Sequence, residues 1–187
     1  MSYNELLLHC GAIPASLEDV MDSATPPPDG DHYPIPHGEF VHRLKGGLES
    51  AGSRVVHEAY ALWKDGARLF GILHLQIGDP SDERQRVIGL RGSHDKYCSR
   101  QIGIGERVLV CDNLSFIAEV KVQRKHTRWI SRDLPHLVGK ALAKATEFYT
   151  KQDERVAKYK DTPLTRSEVN DIVVQAMEKG AIKNSKI

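Results

Sequence analysis

The chain has 187 residues, of which 40% are hydrophobic and 27% charged, with a formal net charge of +1. These values fit one globular domain of ordinary size. No apolar run approaches the ~20 residues of a membrane helix, and no basic segment precedes the first leucines, so neither a membrane protein nor a secretory signal is expected. Three irregularly spaced cysteines, Cys10, Cys98 and Cys111, favour reduced thiols in a cytoplasm over a disulfide framework.

The first 36 residues predict an acidic, proline-rich arm. Residues 1–33 contain six acids and no Lys or Arg. Three consecutive prolines at 26–28 cannot continue a helix or a central strand. We expect this arm to be mobile or to lie as a strap across a single α+β domain formed by residues 37–187.

Within that domain, apolar periodicity predicts a helix over 37–50. Five strands should follow, over 54–63, 68–77, 86–91, 106–111 and 115–124. Asp65-Gly66 predicts a hairpin between the first two strands, and Gly103-Ile104-Gly105 predicts a bulge or bend. A helix over 134–158, capped by Asp133, and a second helix from about Thr165, where Thr165 and Glu168 fit a capping box, complete the chain. Strands grouped in this way favour an α+β fold with an antiparallel sheet of about five strands.

Positive charge is concentrated in the middle of the sequence. Residues 84–132 contain eleven Lys or Arg and four acids, a net charge of +7. Aromatic residues are interleaved with these cations, as in proteins that bind single-stranded nucleic acid. A solvated sheet face, or a partner for the acidic arm, would have the same composition. The candidate nucleic-acid contacts are Arg91, Lys96, Tyr97, Arg100, Lys121, Arg124, Lys125, Arg128, Trp129 and Arg132.

A second group of polar residues follows the predicted strands: Ser93, His94, Asp95, Cys111, Asp112, Asn113 and His126. Ser93-His94-Asp95 has the residue types of a catalytic triad, but neighbours in a strand point to opposite faces. His94, Asp95, Asp112 and His126 suit a metal in chemistry, although no recognised ligand spacing supports them. A structural turn explains the same residues. We therefore predict no catalytic residue, no cofactor and no metal.

Three segments, 89–96, 107–113 and 124–127, resemble a family of phage and plasmid proteins of unknown function. In that family a Ser-His-Asp or Ser-Tyr-Asp segment precedes Val-Cys-(Ser/Thr/Asp)-Asn. The resemblance covers about residues 35–187. Because many relatives continue beyond a segment like 183–187, it implies a short member or a fragment. It also implies work on DNA or against host defence, in a host-cell cytoplasm.

Our leading hypothesis is a non-enzymatic protein of phage or plasmid DNA metabolism that binds or anneals single-stranded DNA. An annealing protein would be expected to assemble as a homo-oligomer. The alternatives are an interaction module that inhibits a host defence or replication protein, and a metal-dependent hydrolase. The grouped strands flanked by helices are also similar to phage annealing proteins, an analogy at the level of fold alone.

Overall fold

A computed structural model describes residues 6–76, 86–106, 109–111 and 116–180. The chain divides into two compact units, Met1–Tyr149 and Thr150–Ile187.

The described strands are β1 (Leu6–Leu7), β2 (Ile13–Ala15), β3 (Arg54–Trp63), β4 (Arg68–Gln76), β5 (Arg86–Ser93), β6 (Arg100–Gly105), β7 (Leu109–Cys111), β8 (Phe116–Ile117) and β9 (Val120–Arg124). The described helices are α1 (Leu17–Asp22), α2 (His37–Ser50), α3 (Ile130–Lys160) and α4 (Arg166–Glu178).

Six strands form an antiparallel sheet in the order β2-β3-β4-β5-β6-β9. A second sheet has the order β1-β7-β8, in which β1 runs parallel to β7. The predicted α+β class with an antiparallel sheet is confirmed. The prediction of α2 over 37–50 is confirmed to the residue, and the hairpin at Asp65-Gly66 joins β3 to β4.

Both faces of the large sheet are covered. On one face, α2 and the first five turns of α3 bury apolar side chains such as Phe40, Leu44 and Leu134 against Leu73 and Ile102. On the other face, a smaller cluster includes Phe70, Ile72, Val110 and Phe116. Because β4 is buried on both sides, its sequence is an almost unbroken apolar run.

The first 36 residues contribute to this core. Ser16 caps α1, since its hydroxyl accepts from the backbone N–H of Asp19 while the Asp19 carboxylate accepts from Ser16. Val20 and Ile35 are fully or almost fully buried. The strand β2 pairs with β3 as the outer strand of the large sheet, a position that tolerates Pro14.

The sequence prediction of the central strands was wrong in two places. Gly103 and Gly105 lie inside β6, whose register runs without a bulge. A Cβ on Gly103 would lie 2.8 Å from the Cβ of Ala118 and 2.9 Å from Cζ of Phe116, so close packing requires this glycine.

The predicted strand over 115–124 is in fact two strands in different sheets. Phe116 packs in the smaller cluster and Val122 in the larger one. The break at Ala118 and Glu119 therefore moves the chain between sheets, although the alternation of apolar residues is continuous.

The long helix begins earlier than predicted. It starts at Ile130, so Asp133 lies in the first turn and is not the N-cap, and Pro135 lies inside the helix. Ile130 is buried, and its N–H donates to the carbonyl of Thr127. The C-terminal helix agrees with prediction, because Thr165 and Glu168 form the expected capping box. No helix among the described residues is long and apolar enough to span a bilayer.

Candidate nucleic-acid interface

Several basic residues of the central region lie on or beside β9, an outer strand of the large sheet. Charged side chains are common on such strands because they discourage pairing with another chain. Lys121 and Arg124 lie on β9, and Lys125 follows it directly. Two cavities beside this strand are both lined by Arg124.

The first cavity has a volume of about 750 Å³. It lies between the end of β9, the loop that precedes β6, and a turn of the N-terminal segment. Its lining includes Lys96, Tyr97, Arg124, Lys125 and His126. Two carboxylates also line it, those of Asp29 and Asp31.

The second cavity, of about 490 Å³, lies between β9 and the beginning of α3. Lys121 lines it from the strand, while His136, Lys140 and Lys144 line it from the helix. Gln123 and Arg124 line both cavities. The two cavities are therefore adjacent, and together we call them the β9 groove.

Six basic side chains line the β9 groove: Lys96, Lys121, Arg124, Lys125, Lys140 and Lys144. Two of them are paired with carboxylates, Lys96 with Asp29 and Arg124 with Asp133. Within the described part of the chain, no carboxylate lies within ion-pair distance of the other four. Hydrogen bonds from Arg132 and Arg124 hold the pKa of Asp133 below its ordinary value. The groove is therefore cationic, although not uniformly so.

Two of the predicted aromatic contacts are exposed, and of these Tyr97 lines the groove whereas Trp129 lines neither cavity. Tyr97 is 59% exposed and lines the first cavity, and the guanidinium of Arg68 lies 4.0 Å from its ring centroid. Trp129, just before α3, is 46% exposed, with Arg128 and Arg132 at 4.8 and 4.6 Å from its ring. Exposed rings backed by guanidinium groups are suited to stacking on bases.

Arg100 was wrongly predicted as a surface contact. Its side chain is fully buried. Nη1 donates to Nδ1 of His37 at 2.6 Å, and Nη2 donates to the carbonyl of Ile35 at 2.6 Å. Burial lowers the pKa of Arg100 to about 9, so the guanidinium keeps its charge at neutral pH. Arg100 therefore organises the core and cannot touch a polyanion.

Neutral imidazoles surround this buried cation. The rings of His37 and His94 stack with centroids 3.9 Å apart, and Nε2 of His37 donates to the carbonyl of Gly66. His37 must be neutral, because its Nδ1 accepts from Arg100. His126 is 5% exposed, and neither of its ring nitrogens has a hydrogen-bond partner among the described residues. Burial and the charge of Arg100 lower the pKa of His37 well below its ordinary value and that of His126 to about 3; burial also lowers the pKa of His94.

The predicted polar cluster is only partly brought together. Ser93 donates to the carbonyl of Cys98 and accepts from its N–H, and Asp95 pairs with Arg68 at 2.6 Å. These bonds shape the loop before β6, as a structural turn would. Cys111 lies in the small sheet, with Sγ 3.5 Å from Nδ1 of His9. Asp112 and Asn113 lie outside the described residues. Among those that are described, no three metal-ligating side chains come together.

Arg91 is half-buried beside Gln101, to which it donates at 3.0 Å, and it lines neither cavity. The sequence interpretation missed the contribution of α3 to the groove. His136, Lys140 and Lys144 recur every fourth residue, so they share one helix face. That spacing could have been recognised in the sequence as a basic helix face.

The chain matches no protein-family model, no curated protein and no solved structure.

Proposed function

We propose that this protein binds single-stranded nucleic acid, DNA in the first place, along the β9 groove. The observation that carries this proposal is a pair of adjacent cavities lined by four lysines that no carboxylate of the described residues neutralises. Phosphates neutralised by such side chains release condensed counterions, which drives binding at low salt.

The exposed rings of Tyr97 and Trp129 support a preference for single strands. Bases of a duplex are already stacked on each other, whereas unpaired bases offer a free face to an aromatic side chain. The motif resemblance adds to this proposal a setting in phage or plasmid DNA metabolism, and hence in a host cytoplasm. It supplies no further residue.

The test is a fluorescence-anisotropy titration with labelled oligothymidylate and with a duplex of equal length, at several salt concentrations. Lys140→Glu, Lys144→Glu should weaken single-strand binding at low salt by at least about tenfold. The slope of log affinity against log salt should fall by about 1.4, or about 0.7 for each lost contact. The matched control is Arg155→Glu, Lys158→Glu, which makes the same charge change on exposed residues of α3 outside the groove. Absent binding, or equal losses in both variants, would reject the β9 groove as the site.

A second candidate function is protein–protein contact through α4. No residue of this helix is buried, and one wide face carries apolar side chains that are 38–52% exposed: Val169, Ile172, Val173 and Met177. A helix of 13 residues is marginal in water without packing. Mass photometry of the wild type and of Ile172→Glu tests whether this face joins copies of the chain. An assembly that the substitution dissociates would support the candidate, and a monomeric wild type would leave only a foreign partner.

A further inference from the structure

A tight turn of the N-terminal segment projects into the first cavity of the β9 groove. The N–H of Asp29 donates to the carbonyl of His32 at 2.9 Å, and the N–H of His32 donates to the carbonyl of Asp29 at 3.0 Å. Gly30, with φ of +58°, permits the turn. The carboxylates of Asp29 and Asp31 thereby line the same cavity as Lys96, Arg124 and Lys125.

The contact between the turn and the cations is electrostatic and open to water. Asp29 pairs with Lys96, and the two side chains are 76% and 55% exposed. The charge and hydrogen bond of Lys96 lower the pKa of Asp29, so this carboxylate is ionised at neutral pH. Exposed ion pairs contribute little to stability and exchange readily with other ions. The Asp29–Lys96 pair therefore adds little to the stability of the fold.

The backbone that follows the turn is, by contrast, firmly held. Nε2 of His32 bonds the carbonyl of His94 at 2.9 Å, and the N–H of Tyr33 donates to the carbonyl of His126 at 2.9 Å. The carbonyl of Ile35 accepts from the buried Arg100. These bonds fix the place of the turn, so its carboxylates stand beside the cations without a further loss of chain entropy.

We propose that the turn from Asp29 to His32 is an intramolecular competitor for nucleic-acid phosphates in the first cavity. This inference rests on the proposed function of the β9 groove. Two carboxylates stand where a bound strand would bring phosphates to Lys96, Arg124 and Lys125. They lower the affinity for isolated anions, and a strand that also engages the second cavity outcompetes them. The acidic segment thus sets a threshold for binding.

The experiment compares two variants that remove the same charge from the same segment. Asp29→Asn, Asp31→Asn changes the turn, whereas Glu18→Gln, Asp22→Asn changes exposed residues of α1 that do not line the cavity. Anisotropy titrations with labelled oligothymidylate are run at low and at moderate salt. The turn variant should bind on the order of tenfold more tightly at low salt, because two like charges leave the phosphate path. Its salt slope should steepen by about 0.7, since Lys96 becomes free to contact a phosphate. The control should stay within about twofold of wild type.

The outcomes separate this inference from the proposed function. If the wild type binds and both variants gain affinity equally, or neither gains any, the competitor is overturned. The proposed function of the β9 groove then still stands. Absent binding by wild type and both variants overturns the proposed function, and the competitor with it. Wild-type binding that tightens in the turn variant and not in the control supports both.

Discussion

The histidines around Arg100 make the stability of the Met1–Tyr149 unit depend on pH. His37, His94 and His126 all have pKa values below the ordinary value of 6.5, with burial as the first cause. In the unfolded chain these side chains titrate near pH 6.5. As the pH falls below about 6.5, the unfolded chain takes up protons that the folded chain does not. The free energy of unfolding therefore falls with falling pH.

The magnitude follows from the proton count. Each histidine that is charged only in the unfolded state changes the free energy of unfolding by about 1.4 kcal/mol per pH unit, and three change it by up to about 4. For His126 alone, a pKa that drops to about 3 corresponds to a loss of roughly 5 kcal/mol once the pH reaches 3. Domains of this size are stable by only about 5–15 kcal/mol. We therefore expect the free energy of unfolding to be lower at pH 5 than at pH 7 by a measurable fraction of the total.

Urea unfolding followed by tryptophan fluorescence at about pH 7, 6 and 5 measures this dependence, because Trp63 and Trp129 both belong to the Met1–Tyr149 unit. His126→Gln should reduce the slope against pH by about 1.4 kcal/mol per unit. His42→Gln is the control, since His42 is exposed on α2. A free energy of unfolding that is equal at pH 7 and pH 5 would refute the reasoning. So would a wild-type slope in His126→Gln.

Two further substitutions test the packing that positions the groove. Tyr149→Phe should lower the free energy of unfolding by about 1–2 kcal/mol, because the buried hydroxyl donates to the carbonyls of Val87 and Gly105. Chemical denaturation measures this loss, and an unchanged denaturation midpoint would contradict the prediction. Gly92→Ala should destabilise by about 1–3 kcal/mol, because the new Cβ would lie 2.5 Å from Cδ of Arg100. The exposed Gly139, where a Cβ meets nothing within 4 Å, is the matched control, and equal effects of alanine at both positions would argue against steric displacement of Arg100.

Local sequence signals predicted the elements whose stability is local. The helix α2 has a four-residue apolar period, and α4 has a capping box, so both were predicted correctly. The strand β6 was missed because Arg100, Gln101, Gly103 and Gly105 have little strand propensity. Its pairing depends on β5 and β9, which flank it. A prediction from local propensity does not take these neighbouring strands into account.

The groove was only half predictable for a related reason. Cations on β9 stood out as a charged run, and the spacing of Lys140 and Lys144 was readable as one helix face. The burial of Arg100 was not, because charged side chains are almost never fully buried, and the imidazoles and carbonyl that solvate it come from distant segments. Nor does the sequence reveal that Asp29 meets Lys96, 67 residues away.

The parallel pairing of β1 with β7 has a kinetic consequence. Leu6 and Leu7 lie opposite Val110 and Cys111, so this pairing closes a loop of about a hundred residues, at an entropic cost on the order of 4 kcal/mol. Within the described residues, β1 contributes two residues to that ladder. Such a strand is among the last to dock and the first to detach, and amide hydrogens there should exchange with solvent long before those of β4. Each detachment would bare the edge of β7 while the large sheet stays whole.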